Sequence, residues 1–500
     1  NRIKVLDISD TKITDVSNLR YANVVQDFKA DNNQIKDISI VEYFKDLNNL
    51  SLSGTEVSDI SSLAACDNLT TLNLSETLVR DLSSIANLLK LHDLDVSNTY
   101  VSDLSPLQNM ENLNFLNVEG TQVTDLQYVT NLNKLNEINF SNTSVSNLDP
   151  LNSLSQLTII YCDNTLVDRQ TADNFRAANP DKLVINESEA LRMWWNELPS
   201  FWKSLLVEQT NTNINPTKEE LHSIINVRNL KLTNYIHDAE PISRLTNIEY
   251  LDISDSKIDD ISPLSVLHNL KTLNINNTTI SDLTPLSNNN NLKELYIENT
   301  GVQSLKPLHG LDNLTKIYAD GINLSLSEVY ELKVSQRQVV VIYQSDDLRL
   351  WWGNLDDAWR DVFAQHTMCN TNPTDEQLQS IVDLEEITIE PSNIVNSLEP
   401  LSQMVFLKKL TVNNNLIQDL SPLSDKYFLE MLSIGGNPVD NIMPLSDLMA
   451  LKELNIENTP VSDLNPIANL KNIKVLNIAG TYIYNLKPLV GLESLVDLSI

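Results

Sequence analysis

The chain has 500 residues, of which 35 are Lys or Arg and 67 are Asp or Glu, so its formal net charge at pH 7 is −32. A negative field of this size repels phosphate groups, which argues against nucleic acid or an anionic membrane as the partner. Hydrophobic residues make up 41% of the chain, which is enough to form a substantial core. Only ten residues are glycine, which argues against Gly-rich phosphate-binding loops.

A period of 22 residues organises most of the sequence. The segment LDVSNTYVSDLSPL at 94–107 recurs as LNINNTTISDLTPL at 273–286 and as LNIENTPVSDLNPI at 454–467. Alternating apolar and polar residues predict a short half-buried strand, and an Asp before Leu-Ser-Pro-Leu predicts a 3₁₀ or short helical turn. One repeat cannot bury its leucines alone, so neighbouring repeats must stack into a continuous parallel sheet. The predicted fold is therefore an α/β solenoid, with the sheet on the concave face and the turns on the convex side.

The period predicts 19 strands in three blocks. Block one at 1–185 has eight strands, block two at 229–345 has five, and block three at 387–500 has six. The aligned strand residues are Leu6, Phe28, Leu50, Leu72, Leu94, Leu116, Ile138 and Ile160; then Leu230, Leu251, Leu273, Leu295 and Ile317; and then Ile387, Leu410, Leu432, Leu454, Leu476 and Leu498.

Two related Trp-rich inserts, at 186–228 and 346–386, separate these blocks. SEALRMWWNELPSFWKSLLVEQ at 188–209 matches SDDLRLWWGNLDDAWRDVFAQH at 345–366, with an offset of 157 residues. Apolar residues recur at helical spacing in both copies, and Thr-Lys-Glu-Glu and Thr-Asp-Glu-Gln each form a capping box that opens a further helix. Because a stack of repeats has an exposed apolar end, we interpret the inserts as helical caps rather than ligand sites.

The repeat resembles the 22-residue leucine-rich repeats of the bacterial internalin family. The segments that carry the resemblance are ITDVSNL at 13–19, VSDLSPL at 101–107, ISDLTPL at 280–286 and VSDLNPI at 461–467. The resemblance implies a bacterial surface or secreted leucine-rich repeat protein that binds another protein along its concave face. The chain departs from the family in its Trp-rich inserts, and in having mostly Thr where the family has Asn after the strand.

Carboxylates also follow the 22-residue period. Stacked carboxylates suggest calcium sites. Each of these Asp residues, however, stands just before a turn, where it can accept hydrogen bonds from free backbone N–H groups, and we favour this structural interpretation. The series is Asp15, Asp37, Asp59, Asp81, Asp103, Asp125, Asp260, Asp282, Asp419 and Asp463.

The sequence contains no recognisable catalytic motif. The six histidines form neither HExxH nor a pair at metal spacing, and no GxSxG or phosphate-binding loop occurs. We therefore expect no enzymatic activity, no cofactor and no metal, with the histidines mostly on the surface or in turns. Cys66, Cys162 and Cys369 do not form a disulfide framework, and Cys162 is expected to be a core residue. No apolar run reaches the roughly 20 residues of a membrane span, and no signal peptide is visible.

The outward strand positions are the best candidates for partner binding. Residues on either side of a buried strand residue point away from the core, and aromatic side chains flanked by carboxylates are typical of protein-binding hot spots. We expect the tyrosines of block two to form an aromatic row that binds a basic protein partner. The predicted partner-binding residues are Phe115, Tyr161, Tyr250, Asp252, Glu294, Tyr296, Glu298, Tyr318 and Asp320.

These features together predict a non-enzymatic protein-interaction or adhesion module. By the resemblance, its location is extracellular or on a bacterial cell surface. Two alternatives fit the same residues. One is an intracellular leucine-rich repeat scaffold. The other is a glycan-binding surface protein in which Tyr296 or Trp195 stacks on sugar rings.

Overall fold

The computed structural model describes residues 3–232, 236–390 and 394–500. These residues form 21 strands of three residues each, sixteen 3₁₀ turns of three to five residues and eight α-helices. The chain divides into two compact units. Unit 1 holds the residues up to Leu232 together with Asp238–Leu251 and Ser262–Leu270, and unit 2 holds Asp252–Ile261 and Lys271–Ile500.

Unit 1 begins with a parallel sheet of nine strands that pair in chain order. Its strands are β1 (Val5–Asp7), β2 (Asp27–Lys29), β3 (Asn49–Ser51), β4 (Thr71–Asn73), β5 (Asp93–Asp95), β6 (Phe115–Asn117), β7 (Glu137–Asn139), β8 (Ile159–Tyr161) and β9 (Leu183–Ile185). The helices are α1 (Arg169–Ala178), α2 (Ser188–Glu197), α3 (Ser200–Thr210) and α4 (Lys218–Ile225). After them come β10 (Asn229–Lys231) and β11 (Tyr250–Asp252), the latter ending at the boundary of the unit.

Unit 2 contains two runs of parallel strands paired in chain order. The first run is β12 (Thr272–Asn274), β13 (Glu294–Tyr296), β14 (Lys316–Tyr318) and β15 (Val340–Ile342). The second is β16 (Glu386–Thr388), β17 (Lys409–Thr411), β18 (Met431–Ser433), β19 (Glu453–Asn455), β20 (Val475–Asn477) and β21 (Asp497–Ser499). The helices are α5 (Leu326–Ser335), α6 (Ser345–Asn354), α7 (Asp357–Thr367) and α8 (Asp375–Val382).

The repeat that starts at Leu94 shows how the sequence produces this fold. Leu94 and Val96 are fully buried, and the Thr99 hydroxyl donates to the carbonyl of Val96 at 2.6 Å. Asn98 adopts a left-handed conformation (φ 54°), and the next repeat has Gly120 there (φ 64°). A Cβ on Gly120 would meet only the movable end of the Asn98 side chain, so it is mainly the backbone angle that favours glycine. The turn after each strand is thus fixed by local sequence.

The predicted solenoid of parallel strands and 3₁₀ turns is confirmed. All 19 aligned residues lie in strands, and the structure adds β9 and β15. The 22-residue period does not predict β9 and β15, because helices α1 and α5 lengthen the repeats that precede them. Ile160 pairs with Val184 and Ile317 with Val341, so the strand spacing at these two places is not 22 residues. For the same reason the helical segments begin before the predicted insert boundaries at 186 and 346.

The second insert packs into the core of unit 2. Trp359, Val362 and Phe363 are buried in one apolar cluster with the leucines of β16–β20 and their turns. The predicted capping boxes are present, since the Thr217 and Thr374 hydroxyls accept from the amides of Glu220 and Gln377. The first insert likewise buries Trp195, Trp202, Leu205 and Leu206. The interpretation of the inserts as core-forming caps agrees with this packing.

All three cysteines are free and buried. Burial raises the pKa of Cys162 to about 12, so this thiol stays protonated as a small core residue, as predicted. The expectation for histidine is wrong at His222, which is fully buried. Its Nδ1 lies 2.7 Å from the carbonyl oxygen of Lys218, and its Nε2 lies 3.1 Å from the amide nitrogen and 2.8 Å from the carbonyl oxygen of Asn186. Burial lowers its pKa.

Candidate partner-binding face

In most strands the first and third residues lie on the outer side of the sheet, which we call the strand face, although the third residue is buried in β9, β11, β15 and β18. In β13, for example, Leu295 is buried while Glu294 and Tyr296 are half-buried. The strands pair in register, so equivalent residues of successive repeats become neighbours: Glu294 pairs with Lys316, and Tyr296 with Tyr318. Two outward rows of side chains therefore run across the sheet, one from the first and one from the third strand position.

Tyr296 and Tyr318 are neighbours on the strand face of unit 2. Their rings stack with centroids 4.3 Å apart and planes at 2°. The hydroxyl of Tyr318 donates to Oε1 of Glu376 at 2.8 Å, and Nζ of Lys316 lies 3.3 Å from the same oxygen. Burial, and then the hydrogen bond to Glu376, raise the pKa of Tyr318. The phenol therefore remains a neutral donor, held by the first turn of α8.

The predicted carboxylates of unit 2 have different roles. Glu298 accepts from the side-chain amide of Asn276, and its pKa is raised by burial and by the nearby charges of Asp320 and Asp375. Asp320 accepts from the backbone amide of Ser345 at 2.8 Å, which fixes the start of α6. Asp320 is thus a positioning residue for the insert, whereas Glu298 lies in a region where negative charges crowd one another.

The strand face of unit 1 carries a related arrangement at Tyr161. Its hydroxyl lies 3.4 Å from Oε1 of Glu219, and Nζ of Lys218 lies 4.4 Å from the ring centroid. Burial, followed by the charges of Glu137 and Glu219, raises the pKa of Tyr161 to about 12. Phe115 lies in the first-position row, in register with Glu137. Phe115 and Tyr161 are both half-buried.

The Tyr161–Glu219 and Tyr318–Glu376 contacts are two copies of the same structural feature. Tyr161 and Tyr318 are 157 residues apart, as are Glu219 and Glu376, and in both copies the first turn of the third insert helix reaches the strand face. Sequence reasoning missed these glutamates as parts of the site, although the 157-residue offset already placed a Glu at both positions. The adjacent residue differs, being Lys218 in unit 1 and Asp375 in unit 2.

Two predicted members of the aromatic and acidic set need correction. Tyr250 is exposed, but it occupies the first position of β11, so its place in the strand matches Glu294 and not Tyr296. Tyr250 is therefore a first-position residue, whereas Tyr296 and Tyr318 are third-position residues. Asp252 is only 2% exposed, and its Oδ1 accepts from the amide and the hydroxyl of Ser254 at 3.0 and 2.6 Å. Asp252 stabilises its own turn and presents no carboxylate to a partner.

The periodic carboxylates bind backbone amides. Asp103 accepts from the amide of Ser105 at 2.8 Å and from its hydroxyl at 2.7 Å, and these hydrogen bonds lower the pKa of Asp103. The helix-capping position itself belongs to Leu104, so the Asp acts one residue earlier, as an Asx turn. Across the described ranges, no three His, Cys, Asp or Glu side chains converge in a way that would hold a metal ion.

The tryptophans belong mainly to the core. Trp195, Trp202, Trp352 and Trp359 are buried, which removes Trp195 as a sugar-stacking platform. Trp194 and Trp351 are half-buried. The indole N–H of Trp351 donates to the carbonyl of Pro400 at 3.1 Å, and that of Trp359 donates to Ser397 at 3.0 Å.

Comparison with known proteins finds a matching family model and several similar solved structures. The family described as leucine-rich repeats (2 copies) matches residues 246–288. No curated protein sequence matches the chain. An internalin (InlF) of Listeria monocytogenes is similar over 94% of this chain and 85% of its own, with 17% identity and a TM-score of 0.26. Internalin C2 of the same organism covers 36% of this chain and 79% of its own, with 25% identity and a TM-score of 0.34. A leucine-rich repeat protein of Leptospira interrogans covers 97% and 98%, with 15% identity and a TM-score of 0.22.

Proposed function

We propose that this internalin-like leucine-rich repeat protein is a non-enzymatic binding module that holds a protein partner on its strand face, the side that the family resemblance makes concave. The observation that carries the proposal is the Tyr296–Tyr318 stack, held from the side by Glu376. Tyrosine pairs offer a large contact area, and this pair is already ordered, so a partner loses little additional conformational entropy on binding.

The charges around the stack support a basic partner. The hydroxyls of Tyr296 and Tyr318 lie 3.4 Å from Glu294 and 2.8 Å from Glu376, Lys316 is paired with Glu376, and the chain as a whole carries −32. Complementary charge accelerates encounter more than it strengthens the final complex. The association rate should therefore fall as salt is raised, while the dissociation rate changes little.

The family resemblance supports a bacterial surface or secreted location. Among the described residues, no helix is long and apolar enough to cross a membrane. Digestion of intact cells with an added protease tests this location, because a surface protein is cleaved and an intracellular scaffold is protected. The glycan alternative is weakened by the burial of Trp195.

The binding face is tested by photo-crosslinking followed by titration. A benzophenone amino acid at Asn274, the register neighbour of Tyr296, should capture the partner, whereas the same group at Ser287 on a turn should not. With the partner purified, Tyr296→Ala should weaken binding by about 1–2 kcal/mol, the loss expected for a hot-spot anchor. Tyr296→Phe, which keeps the ring, should cost less.

Asp282→Ala is the matched control in the same unit, because Asp282 hydrogen-bonds the amide of Thr284 in a turn. It should affect stability more than affinity. Binding that ignores Tyr296, Tyr318 and salt but responds to turn-side substitutions would contradict the proposal.

A further inference from the structure

A groove in unit 2, separate from the strand face, lies between helices α6 and α7 and the segment Ser397–Gln403. Its volume is about 540 Å³, within the range of ligand pockets. We propose that this groove is a second docking surface, which binds a basic peptide segment of a protein partner by taking up one large apolar side chain between flanking Lys or Arg residues.

Part of the groove lining is apolar, and we call this part the floor. It consists of Trp351, which is half-buried, and of Leu355 and Trp359, which are 7% and 2% exposed, so Trp351 supplies most of its accessible surface. Both indole N–H groups already donate to backbone carbonyls, of Pro400 and Ser397, so the indole surface left to a ligand has no polar group in need of a partner. Such a floor favours an aliphatic or aromatic side chain.

An exposed leucine extends this apolar floor to the rim. Leu350 is 67% exposed, although Leu348 and Trp352 on the same helix are buried. Its counterpart in the first insert, 157 residues earlier, is Met193, which is 55% exposed. Single exposed apolar residues are common, but Leu350 adjoins a concave apolar surface, which is the arrangement of a docking groove.

The negative charges at the rim of the groove favour a cationic occupant. Asp347, Asp356 and Glu399 line the groove, and none of its lining residues is Lys, Arg or His. Asp356 caps α7 by accepting from the amide of Trp359 at 2.9 Å. Within the part of the chain that the structure describes, the side chains of Asp347 and Glu399 form no ion pair. Cationic side chains beside the inserted apolar residue would neutralise them, and an acidic peptide would be repelled.

A neutral sugar fits this groove less well than a basic peptide. A sugar would stack on Trp351 and bond to the carboxylates, but it would leave two negative charges without a cation. The exposed aliphatic surface of Leu350 would also gain little from a polyol. A basic peptide with one apolar side chain would neutralise the two carboxylates and also cover the apolar surface.

The test uses the full chain against bead-bound heptapeptides at physiological salt. The central residue is varied over Leu, Phe, Ser and Gly, and the flanks are all Lys/Arg, all Ser or all Glu. Wild type should bind the Leu- and Phe-centred basic peptides at least tenfold more tightly than the Gly-centred basic peptide. The comparison with the Gly-centred basic peptide is needed because any polybasic peptide is attracted to a chain of charge −32, whatever its central residue.

Leu350→Ser should abolish the preference for Leu or Phe, and the double substitution Asp347→Asn with Glu399→Gln should abolish the preference for basic flanks. Met193→Ser, the matched change in the first insert, and Tyr296→Ala on the strand face should leave both preferences intact. Equal binding of Leu- and Gly-centred peptides, or a preference that survives Leu350→Ser, would overturn the proposal. So would a change in tryptophan fluorescence on adding a glycan panel that is lost in Trp351→Phe, with no such change on adding the peptides.

Discussion

Replacing Trp359 by alanine tests whether the second insert is part of the core of unit 2. The ring is 2% exposed, packs on Phe363 with centroids 5.4 Å apart, and donates to Ser397. A buried tryptophan removes about 200 Å² from water, worth about 5 kcal/mol at about 25 cal/mol/Å². Partial collapse of the cavity and residual compactness of the unfolded chain reduce this figure, so we expect a loss of about 3–5 kcal/mol in the free energy of unfolding.

Urea denaturation followed by circular dichroism and by tryptophan fluorescence measures the loss. Trp359→Phe keeps most of the apolar contact and gives up the hydrogen bond, so it should cost clearly less than the alanine variant. Tyr484→Ala is the surface control, since Tyr484 is 89% exposed and should tolerate truncation within about 0.5 kcal/mol. An unchanged unfolding midpoint for Trp359→Ala would show that the insert does not support the core.

Three further predictions concern turns and titration. Asp103→Ala should lower the melting temperature by about 2 °C, because the amide of Ser105 loses its acceptor, and Asp103→Asn should retain most of the stability. Calcium added to chelator-treated protein should leave the melting temperature unchanged, and a rise of several degrees would favour metal binding by the Asp series. His222→Gln should preserve the fold, because Gln379 occupies the corresponding place in unit 2 and accepts from the amide of Tyr343. Since burial lowers the pKa of His222 below its ordinary 6.5, stability should fall as the pH drops from 7 to 5 in the wild type, and less so in the variant. Equal slopes in a pH series of melts would refute this role.

Much of the local structure follows from residues close in sequence. The strands are predictable because their alternating pattern recurs, and a repeat without a partner would leave its leucines in water. The capping boxes at Thr217 and Thr374 are equally local, since donor and acceptor lie three residues apart. The sequence predicts that the Asp series binds backbone amides, but it does not give the type of turn, because an Asx turn and a helix cap differ by one residue in the same motif.

The surroundings of the outward strand residues do not follow from the local sequence. A strand pattern gives the side of the sheet on which a residue lies, but not what covers it there. Asp252 lies at an outward strand position, yet it is 2% exposed and accepts from Ser254 in its own turn. Tyr250 and Tyr296 are both outward residues, but they occupy different positions in their strands.

The sequence by itself determined the repeat, the parallel order of the strands and the rows of buried leucines, because each of these depends on neighbours about 22 residues apart. Only the tertiary structure showed how the inserts meet the repeats. Tyr161 and Tyr318 reach glutamates 58 residues further along the chain, and Trp351 reaches Pro400 across 49 residues. Such contacts have no period, since they depend on the packing of helices α4 and α6–α8, and this packing decides which strand residues are covered.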